Sequence, residues 1–341
     1  MTVYQYFFQY DDFQSIYNCS SHKYAYATAI PNIPLGIVYI IAGTIYELLY
    51  FPCLFVMIFS SDLRNMTCYR IMIYLGIVDI LVVPLNATLS GIFSIMGTNY
   101  CTAPVVNFFA GAAATALWAG ACNLCILLAF NRCLDAWKPQ WQQMLFEGRR
   151  VFFWLTITSC YIFYIFTFTT PHVYNAQMGA WFFDPFVNHI EPPISSFINR
   201  SHFVNNISVI SLLSVLYILI CASFYYNKRL YGVSTKMNKV QRLIFLQAAW
   251  ISVLNFSAAA IYVSMQWIDV SFTVIVIGQM TWQAGHGGAA IIYLIWNRTI
   301  HSRVVALLKC QWKQAVGRAS IVGSVNKTTP VSQITQSQNF I

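Results

Sequence analysis

The sequence predicts an all-α integral membrane protein, a seven-transmembrane helix bundle with a short amphipathic cytoplasmic helix after the seventh span. Three observations lead there. Of the 341 residues, 58% are hydrophobic and only 9% are charged, too few charges to coat a water-soluble surface of this size. Seven apolar runs are long enough to cross the bilayer core, which takes about 20 residues. If the chain crosses at each run, 17 of the 19 lysines and arginines fall on one side.

The runs are Leu35–Phe59, Ile71–Met96, Val105–Asn131, Val151–Thr170, Val204–Tyr226, Leu243–Val263 and Phe272–Trp296. They are too long and too uniformly apolar for the alternating strands of an outer-membrane barrel, so their backbone must be satisfied within helices. Residues 1–34 have no apolar core and read as an extracellular N-terminal segment; the first span is expected to act as its own insertion signal. Lys23 and Arg200 are the basic residues on that outer side. Arg64, Arg70, Arg132, Lys138, Arg149, Arg150, the 228–242 cluster and the tail lie opposite, in the cytoplasm. The formal net charge of +9 is therefore a topology signal and not a nucleic-acid footprint. Residues 35–312 form the membrane domain with its juxtamembrane helix, and 313–341 a polar cytoplasmic tail expected to be disordered.

The third span ends in "ILLAFNRCLDAWKP" (126–139), with Asn131 and Arg132 where the apolar run stops. An arginine there is ordinary interfacial anchoring. The second outer loop, from Pro171 to Phe203, is long and aromatic. It reads either as a lid over the bundle mouth or as a segment resting on lipid headgroups. After the seventh span, Ile300, Val304, Val305, Leu307 and Leu308 alternate with Arg298, Arg303 and Lys309, which predicts an amphipathic helix lying on the membrane. Cys310 there is a free thiol or a palmitoylation site.

Of ten cysteines, Cys19 and Cys101 face outward, where disulfides persist, and a bridge between them is expected; the alternative is two free thiols. Cys122 and Cys125 lie in an apolar helix and read as packing. Eight Asn-x-Ser/Thr sequons occur, of which Asn199, Asn18 and Asn206 are on the outer side and are the candidate glycosylation sites.

Ionisable groups inside a bilayer are functional suspects. The spans hold Glu47, Asp79 and His286, roughly 12–18 Å from the cytoplasmic ends of the first, second and seventh helices at about 1.5 Å per residue. They are expected to form an intramembrane polar cluster that holds a proton or a sodium ion and biases two packings of the bundle; the alternative is three separately satisfied side chains. Trp118, Gln279, Trp282 and Gln283 are candidates for an outer-half ligand pocket. The sequence contains no nucleophile elbow, phosphate loop, His-Glu-x-x-His or cofactor fingerprint, so no enzyme, metal or cofactor is expected.

"GIVYIIAGTIYELLYFPCL" (36–54), "CYRIMIYLGIVDIL" (68–81), "LLAFNRCLD" (127–135) and "IYLIWNRTIHSRV" (292–304) together resemble the nematode class T serpentine receptors, chemosensory G-protein-coupled receptors. The likeness covers roughly residues 15 to 312. It implies a small external ligand, a heterotrimeric G protein as partner, and a plasma-membrane location in a sensory cilium. It also implies that Arg132, with Asn131, contacts the G protein. The wider rhodopsin-like pattern is met at Asp79. It is departed from at Asn131, which replaces the acid before the arginine, and at 289–293, where Asn-Pro-x-x-Tyr reads Ala-Ala-Ile-Ile-Tyr. The second outer loop lacks its cysteine, and the sixth span its proline. The competing readings are a ligand-gated channel or transporter, against which the lack of internal repeats and the outward N-terminus speak, and a non-signalling seven-helix protein.

Overall fold

Each of the seven apolar runs is a helix in the computed structural model, which describes residues 1–19, 30–187, 197–230, 239–265, 268 and 270–317. The spans are α3 (Ile33–Phe59), α5 (Thr67–Val83) continuing into α6 (Ser90–Met96), α7 (Pro104–Trp137), α9 (Arg150–Phe168), α10 (Arg200–Leu230), α11 (Lys239–Ser264) and α12 (Phe272–Trp296). The short helices are α1 (Val3–Phe8), α2 (Tyr10–Tyr17), α4 (Ser61–Asn65), α8 (Pro139–Phe146), α13 (Arg298–Leu308) and α14 (Trp312–Val316).

Local chemistry sets several boundaries. The Asn32 side chain accepts the Leu35 N–H and starts α3. The second span would break at Pro84, which has no N–H to give. The chain instead widens into a π-helical stretch, Pro84–Leu89, and resumes as α6, so the span stays continuous. Gly97, at φ 68°, then ends it in the left-handed region. Gly36 of α3 and Gly91 of α6 face each other: a Cβ on either would lie 2.6 Å from the other's carbonyl oxygen, so these backbones touch only because both residues are glycine.

Among the described residues, five helices are long and apolar enough to cross a membrane by length and composition alone. The fully described α12 falls short of that standard because Gln279, Gln283 and His286 lower its hydropathy, yet all three are buried against the other helices. Polarity that looks wrong for lipid is thus turned inward. The lipid-facing side chains are large and apolar, for instance Leu48, Phe51, Phe163 and Ile218.

Four features depart from expectation. Residues 1–34 are not featureless: Thr2 and Gln5 cap each other's backbone and start α1, and α2 follows. The long loop between α9 and α10 contains a β-hairpin, β1 (Val173–Asn175) antiparallel to β2 (Ala180–Phe182), with Tyr174 opposite Trp181. And α13 is docked, not merely laid on a surface. Ile300 and Val304 join the bundle core, while Arg303, expected on the polar face, is 5% exposed and pairs with Asp62 at 2.5 Å and with the Ser60 hydroxyl. The tail begins later than expected, because Trp312–Val316 is helical and α14 returns the Ala315 carbonyl to Arg303. The remainder of the tail, 318–341, lies outside the described residues, as do the 231–238 loop, Lys23 and the 188–196 part of the long loop.

Candidate functional site: an aromatic cage joined to a buried acid–imidazole pair

The hairpin sits inside the mouth of the bundle. Tyr174 and Trp181 are almost wholly buried. The Tyr174 N–H donates to the Asn107 side-chain oxygen at 2.6 Å, and the Asn107 amide donates back to the Tyr174 carbonyl at 3.1 Å. The Trp181 indole donates to Ser90, the Tyr39 hydroxyl to the Gly179 carbonyl, and the Tyr174 hydroxyl pairs with Ser94. Close approach is possible because residue 111 is glycine: a Cβ there would stand 1.6 Å from the His172 carbonyl oxygen. Of the two readings of this loop, the buried contacts are those of a lid.

Under the lid, Trp118 of α7, His172, His202 of α10, Tyr262 of α11 and Trp282 of α12 line a cavity of about 10 Å³, room for one water. The rings meet edge to face: Trp118 and Trp282 at 6.4 Å, Tyr262 and Trp282 at 5.7 Å, His172 and Trp282 at 5.3 Å between centroids. Their polar atoms are taken up inward. The Trp118 indole donates to Asn206 at 2.9 Å, Asn206 pairs with His202, and Thr115 pairs with His172. Burial pushes the His172 imidazole down to about 4, so it is neutral at pH 7. Trp118, Tyr262 and Trp282 carry no formal charge there either.

Of the four residues expected in a pocket, Trp118 and Trp282 line this cavity and Gln279 and Gln283 do not. Gln279 stands behind Tyr262, accepting its hydroxyl proton at 2.6 Å and donating to the Asn86 carbonyl at 2.7 Å; Gln283 donates to the same carbonyl. The two glutamines brace the π-helical stretch of the second span. His172, His202 and Tyr262 were not singled out from sequence.

One layer deeper, Asp79 and His286 meet: Nδ1 of His286 lies 2.7 Å from Asp79 Oδ1, and the Tyr50 hydroxyl donates to Oδ2 at 2.6 Å. The Trp282 indole N–H donates to His286 Nε2 at 3.2 Å. The cage and the pair are therefore one chain of hydrogen bonds. Glu47 does not join: it makes no hydrogen bond to either residue, and its Oε1 has no partner, so the expected trio is a pair with Tyr50 as third member. Helix phase separates them, since Glu47 is three residues before Tyr50 and half-buried while Tyr50 is fully buried.

At the other end of α7, Arg132 is half-buried. Asn131 is buried, with its amide nitrogen unpartnered. Cys19 and Cys101 are bridged, with Cα atoms 5.6 Å apart, which ties α2 to the start of α7. Two sequon expectations are overturned. Asn206 is inside the bundle on Trp118, and Asn199 is buried, capping α10 through the His202 N–H and donating to the Thr170 carbonyl, so neither amide can carry a glycan. Asn18 is exposed.

Among solved structures, the crystal structure of squid rhodopsin superposes with a TM-score of 0.61 at 13% identity, covering 83% of this chain and 87% of that one. The fold is thus the seven-helix bundle of a membrane protein that crosses many times. A curated relative, serpentine receptor class T-55 of Caenorhabditis elegans, is 25% identical over 316 residues, 92% of this chain and 85% of that protein. The family model described as serpentine type 7TM GPCR chemoreceptor Srt matches residues 2–316. With its seven helices, its roofed aromatic cage and that match along nearly its whole length, the chain belongs to the class T serpentine family of G-protein-coupled chemoreceptors.

Proposed function

We propose that this receptor sits in the plasma membrane of a sensory cell, N-terminus outside, takes a small uncharged molecule into the cage beneath the hairpin, and signals to a heterotrimeric G protein through Arg132. The observation that carries the reading is that Trp118 of the cage and Arg132 lie on one helix, 14 residues apart, or roughly 21 Å at the usual rise. A change of packing at one end of α7 is therefore delivered to the other. A ligand of fixed charge would find no counter-ion among the cage residues, and burying an unpaired charge costs several kcal/mol. The ligand needs only to bind one packing better than the other; about 1.4 kcal/mol of differential affinity shifts the equilibrium tenfold. Sorting of basic residues supports the outward N-terminus. Asn18 is then the accessible glycosylation site, and a sensory cilium is the location that the family resemblance suggests.

Expression in a heterologous cell with a G-protein reporter tests this. A panel of neutral volatile and water-soluble cues should yield an agonist whose response is lost in Arg132→Ala and shifted at least tenfold in potency in Trp118→Ala, with surface levels preserved. A response that survives Arg132→Ala, or a current that persists without G protein, overturns it.

A further inference from the structure

An indole N–H only donates. Because Trp282 donates to Nε2 of His286, that nitrogen offers its lone pair and carries no proton. The ring proton therefore sits on Nδ1 and is given to Asp79 Oδ1, while Tyr50 gives its own to Oδ2. Two donors into one carboxylate is the arrangement of an ionised acid. So paired, the carboxylate is nearly free of solvent and the ring stands as its single-proton tautomer. An uncompensated charge at this depth is costly, and one more proton would cancel it. The place for that proton is Nε2, and Trp282 occupies it.

We propose that Trp282 is a proton gate: while its indole stays on His286 the Asp79–His286 pair is one proton short, and when a ligand displaces the indole from the cage, His286 takes up a proton at Nε2. The bond formed is Nε2–H, the proton comes from water at ambient pH, and the cluster passes from one negative charge to none, an imidazolium paired with a carboxylate. The signalling consequence, an active packing favoured at lower pH, rests on the receptor reading above. The cage has room for one water, so a larger ligand must move a lining ring. Trp282 is the lining ring bonded to the pair, and it also touches Trp118, Tyr262 and His172. The other titratable groups around the pair are Tyr50, Cys53 and, farther out, Glu47 on α3; Cys122 and Cys125 on α7; and Tyr293 on α12. Of all these groups, His286 is the one whose ring nitrogen accepts from the Trp282 indole. From α11 the nearby polar side chain is Asn255, which does not titrate.

The test is nitrogen NMR on the full-length chain, labelled with ¹⁵N-histidine, in lipid nanodiscs between pH 8 and pH 5; His286→Gln identifies the signal. Wild type should show a neutral imidazole with its proton on Nδ1 across the range. Trp282→Phe, which keeps a ring and removes the N–H, should show His286 doubly protonated within it, with proton affinity raised at least tenfold. A wild-type proton on Nε2, identical titrations in the two proteins, or a signal that follows sodium concentration and not pH overturns the gate. If Trp282→Phe does not accumulate, the wild-type tautomer alone decides. A silent G-protein reporter together with the stated tautomers would count against the receptor reading and leave the gate standing.

Discussion

The two ends of the bundle are closed by different chemistry. The hairpin end is sealed by neutral, directional contacts: the paired bonds between Asn107 and Tyr174, Trp181 on Ser90, Tyr6 of α1 stacked on Phe108 with Phe13 of α2 edge-on to it, and a disulfide. The tail end is held by an apolar core around Met57, Ile71 and Tyr293, with charge at its margin: Arg303 on Asp62, and Arg70 across to the Gly148 carbonyl and over the Phe152 ring. Neutral hydrogen bonds among buried rings have few alternative arrangements, so they specify one shape. The Arg303–Asp62 pair, buried on the arginine side, is one-third exposed at the carboxylate and keeps a path to water. On the proposed reading, the end that takes the ligand has fewer alternative packings than the end that meets the G protein.

Three experiments can break or sharpen that contrast. The largest effect is expected at the bridge. Cys101→Ser removes a cross-link spanning 82 residues and should cost about 2–5 kcal/mol, read as a fall in the thermal midpoint of the purified receptor and in surface level. A loss no larger than that of a surface serine substitution would show that α1 and α2 do not need the tie.

Next comes acid. His172 binds its proton near 4 when folded and near 6.5 when unfolded, so between these values the unfolded state holds more protons and stability falls as pH falls. The loss approaches about 3 kcal/mol at the low end. Thermal midpoints measured from pH 7 to pH 4.5 should decline less steeply in His172→Gln than in wild type; parallel curves would remove His172 from the acid response.

The smallest effect is at the tail. Arg303→Ala leaves Asp62 one-third exposed and free to rehydrate, so a cost of about 1–2 kcal/mol is expected. A cysteine-accessibility assay at Ser60 should show α13 lifting. A loss comparable to that of the disulfide would mean that the two ends are latched alike.

Much of the fold was legible because a bilayer makes polarity decisive. Span boundaries came within a few residues of the helices, and the pairing of Cys19 with Cys101 followed from which cysteines can face outward. Asp79 and His286 were legible as members of one cluster with Glu47, because all three are expensive in lipid and lie near one depth. Glu47 misled for the same reason: depth is readable from a helix, but the direction in which a side chain points across the bundle is not. Asn199 and Asn206 looked like glycan acceptors because a sequon carries no record of burial, and Arg303 looked solvent-facing because its partner Asp62 is 241 residues away.

The sequence by itself determined that the chain crosses a membrane seven times, with its bases sorted to one side, because the transfer of each residue between water and hydrocarbon depends on that residue and its near neighbours. Tertiary structure alone decided that a loop between two spans folds into a hairpin and roofs the bundle, that five rings from five segments close on one cavity, and that an indole holds a histidine in one tautomer. Those outcomes depend on distances between parts of the chain far apart in sequence, which packing sets and local composition does not encode.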